Sequence, residues 1–581
     1  MLKIVKARYA ILLLCCALGV AACGKSAEEK ETVTPLTDTG GLLRYVPADT
    51  PYVFGTLAPP PDEFVDKIEP LLERMLAGYS RLLGAALADA EAQEQEQEQD
   101  AADTETVGAV IDELRSLMSL EGLAGAGVTR DSTLVLYGNG LLPVLRVTLT
   151  DASLFDDAIA RIEAAAGEQL PVAEVDDMPY RYIEDEGVRA ILATVGNEFV
   201  LTIAPATLDD AALSSLLGLT LPASNIAQTG KLREIADKYG YRHEYVGLVD
   251  TVRLADTFID QPEGLDALLL EMAGYDATDL SDACKAEFRS LAAIVPRIVT
   301  GYEEVSAETL RSHAAIELRG DIAAEFGTFV SPVPGLGTIY DGLFSFGMSL
   351  NIKAVRSFFD KRVAALREAP WQCEQLSDLQ QGLFAAHEQA LAQPVPPVVY
   401  DFRGFLAVVN DLQGFDPTNK QAPESIDASF LLAIDNAQGL LAMGQALLPQ
   451  LAELSIEPDG KAHSFELPDS GSGAEKAWVA LTESAIALSV SEDGETLLPA
   501  LLGAESGSPP PFVSVGLDGE QYYKLLGDAM RASDDEEMSE EMREALSDIL
   551  AAAAEFYERL EVDVTFTGRG IEIDSDVKLA D

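Results

Sequence analysis

Two rhythms of apolar residues alternate along this chain, one of period two and one of period about 3.6. Leu43–Val46 and Tyr52–Leu57 read as strands around the turn Pro47-Ala48-Asp49-Thr50-Pro51. Past Pro59-Pro60-Pro61-Asp62 the spacing becomes helical, through Phe64, Val65, Ile68, Leu71, Leu72, Met75 and Leu76. Further on, the strand Val144–Thr148 runs into a helix over Ser153–Ala166. A hairpin near Arg189–Ala204 follows, and then a helix ending Leu213-Ser214-Ser215-Leu216-Leu217-Gly218.

The same series recurs. Phe430–Asp435 is a strand running into the helix Gln438–Leu451. A hairpin contains Trp478–Thr482 and Ile486–Val490, and the next helix ends Leu498-Pro499-Ala500-Leu501-Leu502-Gly503. The first series spans 75 residues and the second 74. Tyr245–Asp250 before its helix matches Val513–Asp518, and the closing ribbon at Thr309–Arg319 matches that at Leu560–Leu579. Tyr52–Leu57 matches Phe344–Leu350. Matches in the same order point to two homologous halves, 42–331 and 338–581, joined by a linker at 332–337. Hairpins alternating with helices predict an α+β fold, each half a mainly antiparallel sheet with helices packed on one face.

Composition narrows the class of partner. The 581 residues are 48% hydrophobic and 24% charged, enough apolar side chain for real cores. Asp and Glu number 97 against 40 Lys and Arg, a net charge of −57. That field repels phosphate backbones, so nucleic acid is not an expected partner. The acidic stretch at about 88–105 has no apolar face and reads as a solvated helix extension or a loop inserted in the first half.

The N-terminus reads as an address. Lys3, Lys6 and Arg8 precede an apolar run, Tyr9–Val20, too short to span a bilayer. Val20-Ala21-Ala22-Cys23 resembles the lipobox of bacterial lipoproteins. The resemblance implies a signal peptide over 1–22, cleavage before Cys23, a diacylglycerol on its thiol and an acyl chain on its amine. Residues 23–41 are then a tether. In that family Gly24, rather than Asp, after the cysteine implies an outer-membrane position facing the periplasm in a Gram-negative cell. Three acyl chains anchor firmly where one would not. The run Tyr45–Phe54 and the repeated α+β steps are similar to a group of uncharacterised bacterial envelope lipoproteins, a resemblance that implies no activity.

Cys15 and Cys16 lie in the signal, and Cys23 is the lipid site. Cys284 and Cys373 remain, and a disulfide between them is favoured in an oxidising compartment over two separate buried thiols. It would join the two halves. His243, His313, His387 and His463 are widely spaced and read as exposed or structural. No nucleophile elbow, dinucleotide loop, phosphate loop or calcium loop is present in the sequence. The aromatic runs Tyr400–Phe405 and Phe344–Phe346 read first as core packing. No catalytic residue, metal ligand or cofactor is assigned. The expected partners are the membrane, through the lipid, and another envelope protein, with divalent cations bound weakly if at all. The favoured reading is a non-catalytic binding protein of the cell envelope. Two alternatives stay open: a small-ligand or cation-binding protein using the crevice between the halves, and an enzyme with a site not visible as a motif.

Overall fold

The computed structural model describes residues 35–95, 101–260, 264–275, 280–393, 395–413, 425–447, 451, 453–467, 476–532 and 538–580. The first half runs β1 (Tyr52–Thr56), α1 (Asp62–Gln95), α2 (Ala101–Leu117), α3 (Leu120–Gly125), β2 (Leu134–Asn139), β3 (Leu142–Thr148), α4 (Ala152–Ala166), β4 (Val172–Val175), β5 (Met178–Asp185), β6 (Val188–Val195) and β7 (Glu198–Pro205). It continues through α5 (Asp210–Leu216), α6 (Ile226–Thr229), α7 (Lys231–Tyr239), β8 (Tyr245–Asp250), α8 (Thr251–Ile259), α9 (Gly264–Met272), α10 (Asp282–Ala292), β9 (Arg297–Val305), β10 (Thr309–Glu317) and α11 (Gly320–Phe326). The second half begins with β11 (Phe344–Ser349), α12 (Ile352–Glu368), α13 (Ser377–Ala392), α14 (Pro397–Asp401), β12 (Phe402–Gln413), β13 (Ser425–Ile434), α15 (Ala437–Leu447) and β14 (Ala462–Glu466). It ends with β15 (Lys476–Leu481), β16 (Ala485–Ser489), α16 (Gly494–Leu502), β17 (Pro511–Asp518), α17 (Gly519–Ala532), α18 (Glu540–Phe556), β18 (Tyr557–Thr567) and β19 (Gly570–Leu579). The fold is α+β.

All 19 strands form one antiparallel sheet. The first half contributes the order β4-β5-β6-β7-β3-β2-β1-β8-β9-β10. The second contributes β14-β15-β16-β13-β12-β11-β17-β18-β19. The two run in the same order outward from their last strand, and those last strands pair, Thr309 opposite Lys578 through Glu317 opposite Gly570.

Helices pack on both faces in the first half, which corrects the one-face expectation. Val144 and Val200 share a core with Leu213 of α5, Ile226 of α6 and Leu232 of α7. On the opposite face Val147 and Phe199 meet Leu114 of α2, Leu123 of α3 and Ile159 of α4. Strand β3 explains this, since Val144, Leu145 and Val147 put apolar groups on both sides of the pleat. Caps set the helix that covers the second face. Asp151 accepts from the Ser153 amide at 2.9 Å to start α4, and Gly167, at φ 67°, ends it in the left-handed region.

Three other expectations change, the first being the tether: Pro35–Thr37 forms a 3₁₀ turn and Leu36 is buried in the first core, so order begins before Leu42 because that side chain fills a gap in the core. Leu43–Val46 is not a strand: Leu42–Tyr45 forms a 3₁₀ turn whose Leu42, Leu43 and Tyr45 plug the first core, a tertiary role that outweighs local alternation. Residues 332–337 are not a free linker, because Val333 and Leu336 are wholly buried in the second core beside Leu406 and Leu498. In the acidic stretch, 88–95 continue α1 and 101–105 begin α2, while 96–100 lie outside the described residues.

The halves also exchange helices. Phe64 and Leu71 of α1 pack on Ala552 and Phe556 of α18, in the other half. Arg74 pairs with Glu555 there, and Arg81 with Asp548 at 2.7 Å. These ion pairs are exposed and contribute about 0–1 kcal/mol each, so the apolar contact dominates. Reciprocally, α12 sets Phe358 against Leu318 and Ile322 of the first half, with Arg362 on Glu325 at 2.8 Å. Beyond α12, Cys373 is disulfide-bonded to Cys284 of α10, with Cα atoms 4.4 Å apart. Glu287 accepts the backbone amides of Gln372 and Cys373 at 2.7 and 3.0 Å. Replacing both cysteines by serine opens a loop of 89 residues and is expected to remove about 2–5 kcal/mol. Urea unfolding of the double variant beside the oxidised and reduced wild type checks this; coincident curves for all three would contradict it.

Candidate functional site

A network of buried titratable side chains lies on the seam between the halves. Helix α7 brings Lys238 and Tyr239 to it. Gly240, at φ 76°, then turns the chain so that Tyr241 lies back on the sheet. Gly301, opposite His313 on the ladder, leaves room for that ring, since a Cβ there would sit 2.4 Å from Tyr241 Cγ. Alternation along β10 places His313, Ala315 and Glu317 on the same face, and β19 meets them with Glu572 and Asp574.

His313 is 4% exposed. Its Nδ1 lies 2.6 Å from the Tyr241 hydroxyl and its Nε2 3.3 Å from Glu572. A proton on Nε2 satisfies both, with the imidazole donating to the carboxylate and accepting from the tyrosine. Glu572 also accepts from Thr567 and, at 2.7 and 2.6 Å, from Arg569. The Arg569 guanidinium covers the Tyr239 ring 4.8 Å from its centre. Glu317 accepts from Lys238 at 2.6 Å, from the Tyr239 hydroxyl at 2.7 Å and from Arg297. Charges this buried are tolerated because each has a partner.

The carboxyl groups of the seam are shifted in opposite directions, Glu572 and Glu317 downward and Asp574 upward. Burial alone would raise the Glu572 carboxyl, but the bonds from His313, Arg569 and Thr567 outweigh it and hold it down at about 2, from an ordinary 4.5. Glu317 is lowered in the same way against its burial, by Arg297, Lys238 and Tyr239. Asp574 is raised, by burial first and then by Glu572 and by Asp563 directly across the ladder, with His313 and Arg569 opposing. Glu572 therefore contributes stability above pH about 4.5 that is lost as pH falls toward 2. Asp574 has the opposite sign: its ionisation works against the fold once pH rises past the ordinary carboxylate value.

A cavity of about 390 Å³ lies elsewhere, between α17 and α18. Tyr523, Lys524, Asp528 and Arg531 line one wall, Ser547, Ala551 and Glu555 the other, and Tyr557 and Asp518 the sheet end. The rings of Tyr523 and Tyr557 are 5.7 Å apart. Asp518 also accepts the Gln521 amide at 2.8 Å, and Asp528 pairs with Arg531 at 3.2 Å. This cavity belongs to the second half. At β10–β19 the halves meet backbone to backbone rather than across a cleft.

Cys23 lies outside the described residues. Cys284 and Cys373 are bonded to each other, away from the seam and the cavity, in a small core with Leu376. His243 is 3.6 Å from Asp237 and His387 2.8 Å from Asp360. His313, read as exposed or structural, is structural: it is buried inside the ion network. The signal in the residues is Arg311, His313 and Glu317 on one strand face, interrupted by Ala315, and Glu572, Asp574 and Asp576 on one face of the other. Phe344, Phe346 and Phe405 are half-buried rather than fully buried, so the core reading holds only in part; with Phe430, which is 40% exposed, they form a row of neighbouring rings with centres 5.7–6.5 Å apart. Among the described residues no group of three or more His, Cys, Asp or Glu is placed to hold a metal, and no helix is long and apolar enough to cross a membrane. Compared with protein-family models, curated proteins and solved structures, the chain finds no match.

Glu572→Gln is expected to destabilise the protein at pH 7 and to flatten the loss of stability between pH about 4.5 and 2. Asp574→Asn is expected to be neutral or stabilising at pH 7. Urea midpoints from pH 2 to 7 read both; parallel profiles for Glu572→Gln and wild type would refute the first, and a large loss in Asp574→Asn at pH 7 the second.

Proposed function

We propose that this chain is a lipid-anchored protein of the bacterial cell envelope that binds another envelope component and performs no chemistry of its own. The observation that carries the second part is the state of the seam. Its reactive groups are occupied by one another: both ring nitrogens of His313 are engaged, and Glu572 and Glu317 are each held by several donors. Such a cluster works as a clamp between two halves rather than as a site that meets substrate. The anchor rests on the lipobox resemblance at Val20–Cys23, with an outer-membrane position facing the periplasm in a Gram-negative cell.

The parallel order of strand pairing in the two halves, which differ by one strand at the outer end, supports an origin by internal duplication, with the last strand of each copy used to join them. A second reading, a small-ligand or cation-binding protein, is favoured by the cavity between α17 and α18. There Asp518, Glu520 and Glu555 surround a tyrosine pair. That reading moves the ligand from the junction of the halves into the second half.

Cys23→Ala is expected to move the protein from the membrane to the soluble fraction and to abolish labelling by radioactive palmitate; retention at the membrane with full labelling would remove the anchor. The binding role is tested by cross-linking the full lipoprotein in cells and identifying its companions by mass spectrometry. A reproducible stoichiometric envelope protein is expected. Recovery of the chain alone, under conditions that capture a known complex, would overturn the interaction reading.

A further inference from the structure

Comparing the two halves strand by strand exposes a difference in what covers the sheet. In the first half Leu134, Leu145 and Leu201 lie on the face that carries α2, packed against the cluster of Val110, Leu114 and Leu117. The registers place Phe405, Phe430 and Leu488 at the same positions of the second half. Phe405 sits between Met348 and Leu432 as Leu134 sits between Thr56 and Val147. Phe430 sits between Ala407 and Leu488 as Leu145 sits between Leu136 and Leu201.

The helix that follows in the same order, α13, does not take up the covering role. It packs on α12, and none of its side chains is buried. The hairpin of α12 and α13 is held instead to the first half, by Phe358 and by the Cys373–Cys284 bond. The face it leaves behind is apolar across four strands, from Phe344 and Phe346 on β11 through Phe405 and Phe430 to Leu488 on β16. Phe430 and Leu488 are 40% and 39% exposed. The bordering helix α15, which packs on Ile486, adds Met443 and Leu447 at 56% and 81% exposure. An exposed apolar group of this extent marks an interaction site.

Charge selects among the occupants. The strand ends bordering this face carry the exposed acids Glu483 at one end and Glu492 at the other, on a chain of net charge −57, while Asp435 beside Glu483 is already paired with Arg403 and Lys353. Two such chains repel, which disfavours a second copy, and an anionic lipid surface is disfavoured for the same reason. The first half shows the shape of the cover: a helix with an apolar stripe. We infer that this face of the second half binds a cationic amphipathic helix of a partner protein, its apolar stripe on Phe405, Phe430 and Leu488 and its lysines or arginines over the acidic rim. The inference rests on the binding role proposed above and names its surface.

The probe is a fluorescent 18-residue peptide of leucine and lysine with all leucines on one helical face. It is titrated by anisotropy against the full lipid-anchored chain in zwitterionic nanodiscs, with empty discs as the blank. Saturable binding is expected, about tenfold weaker for Phe430→Ser and for Leu488→Ser and unchanged for Leu221→Ser, an exposed apolar site in the first half. A peptide of the same composition with its leucines dispersed is expected to bind about tenfold more weakly, and one with glutamate for lysine not at all. Melting temperatures identify any variant that fails to fold, and Phe430 and Leu488 are tested separately for that reason. Equal affinity of wild type and both folded variants would overturn the inference. So would binding of the acidic peptide, self-association lost in Phe430→Ser, or attachment to anionic vesicles through this face. A partner cross-linked in cells equally by wild type and Phe430→Ser would also overturn this surface while leaving the binding role intact. Peptide binding with every expected dependence, but no partner in cells, would overturn the role and leave the surface.

Discussion

The pairing of β10 with β19 is the constraint on which the rest of the molecule depends. Each half ends in a ribbon strand of nine or ten residues, and a free edge of that length would present a row of unpaired amides and carbonyls. Joining the two edges satisfies both at once. Among the described residues it leaves the short strands β4 and β14, of four and five residues, at the outer ends of the sheet. The join brings the polar faces of β10 and β19 together, and the seam follows from it. Glu572 needs His313 and Arg569 because the ladder buries it, and Glu317 needs Lys238 and Arg297 for the same reason.

The helix exchange and the disulfide are consequences at longer range. With the halves fixed edge to edge, α1 reaches α18 and α12 reaches α11, so each long helix completes a core in the other half. The Cys284–Cys373 bond ties that arrangement at one point. The two exchanges are not equal in outcome. In the first half α2 still lies over its own sheet, whereas in the second half α13 stays with α12 and an aromatic face remains open. The sheet face that α2 covers in the first half thus has no helix of its own over Phe405, Phe430 and Leu488 in the second.

Much of the element order is legible in the residues. Val144–Thr148, Phe430–Ile434, Tyr245–Asp250 and Val513–Asp518 are strands, and the helices that follow begin where capping residues such as Asp151 and Asp250 stand. Periodicity is a local property, so it survives without a structure. Leu43–Val46 misled because four residues, Leu43, Arg44, Tyr45 and Val46, are too short a run to separate one period from another, and packing into the core decided their turn. The seam was hidden for another reason. Its parts, Tyr239, His313 and Glu572, are far apart in sequence, and polar alternation in one strand does not say which strand it faces.

The α+β class, the order of strands and helices, the excess of acidic residues and the N-terminal motif at Val20–Cys23 are all readable from the residues in line, because each depends on composition or on neighbours within a few turns of chain. Tertiary structure decided that the two halves share one sheet, that Val333 and Leu336 belong to a core, that His313 sits inside an ion network and that Phe430 is left in the open. Each of these depends on which edges and faces meet. That is settled by hydrogen-bond satisfaction and burial summed over the whole chain, and no single segment carries the information.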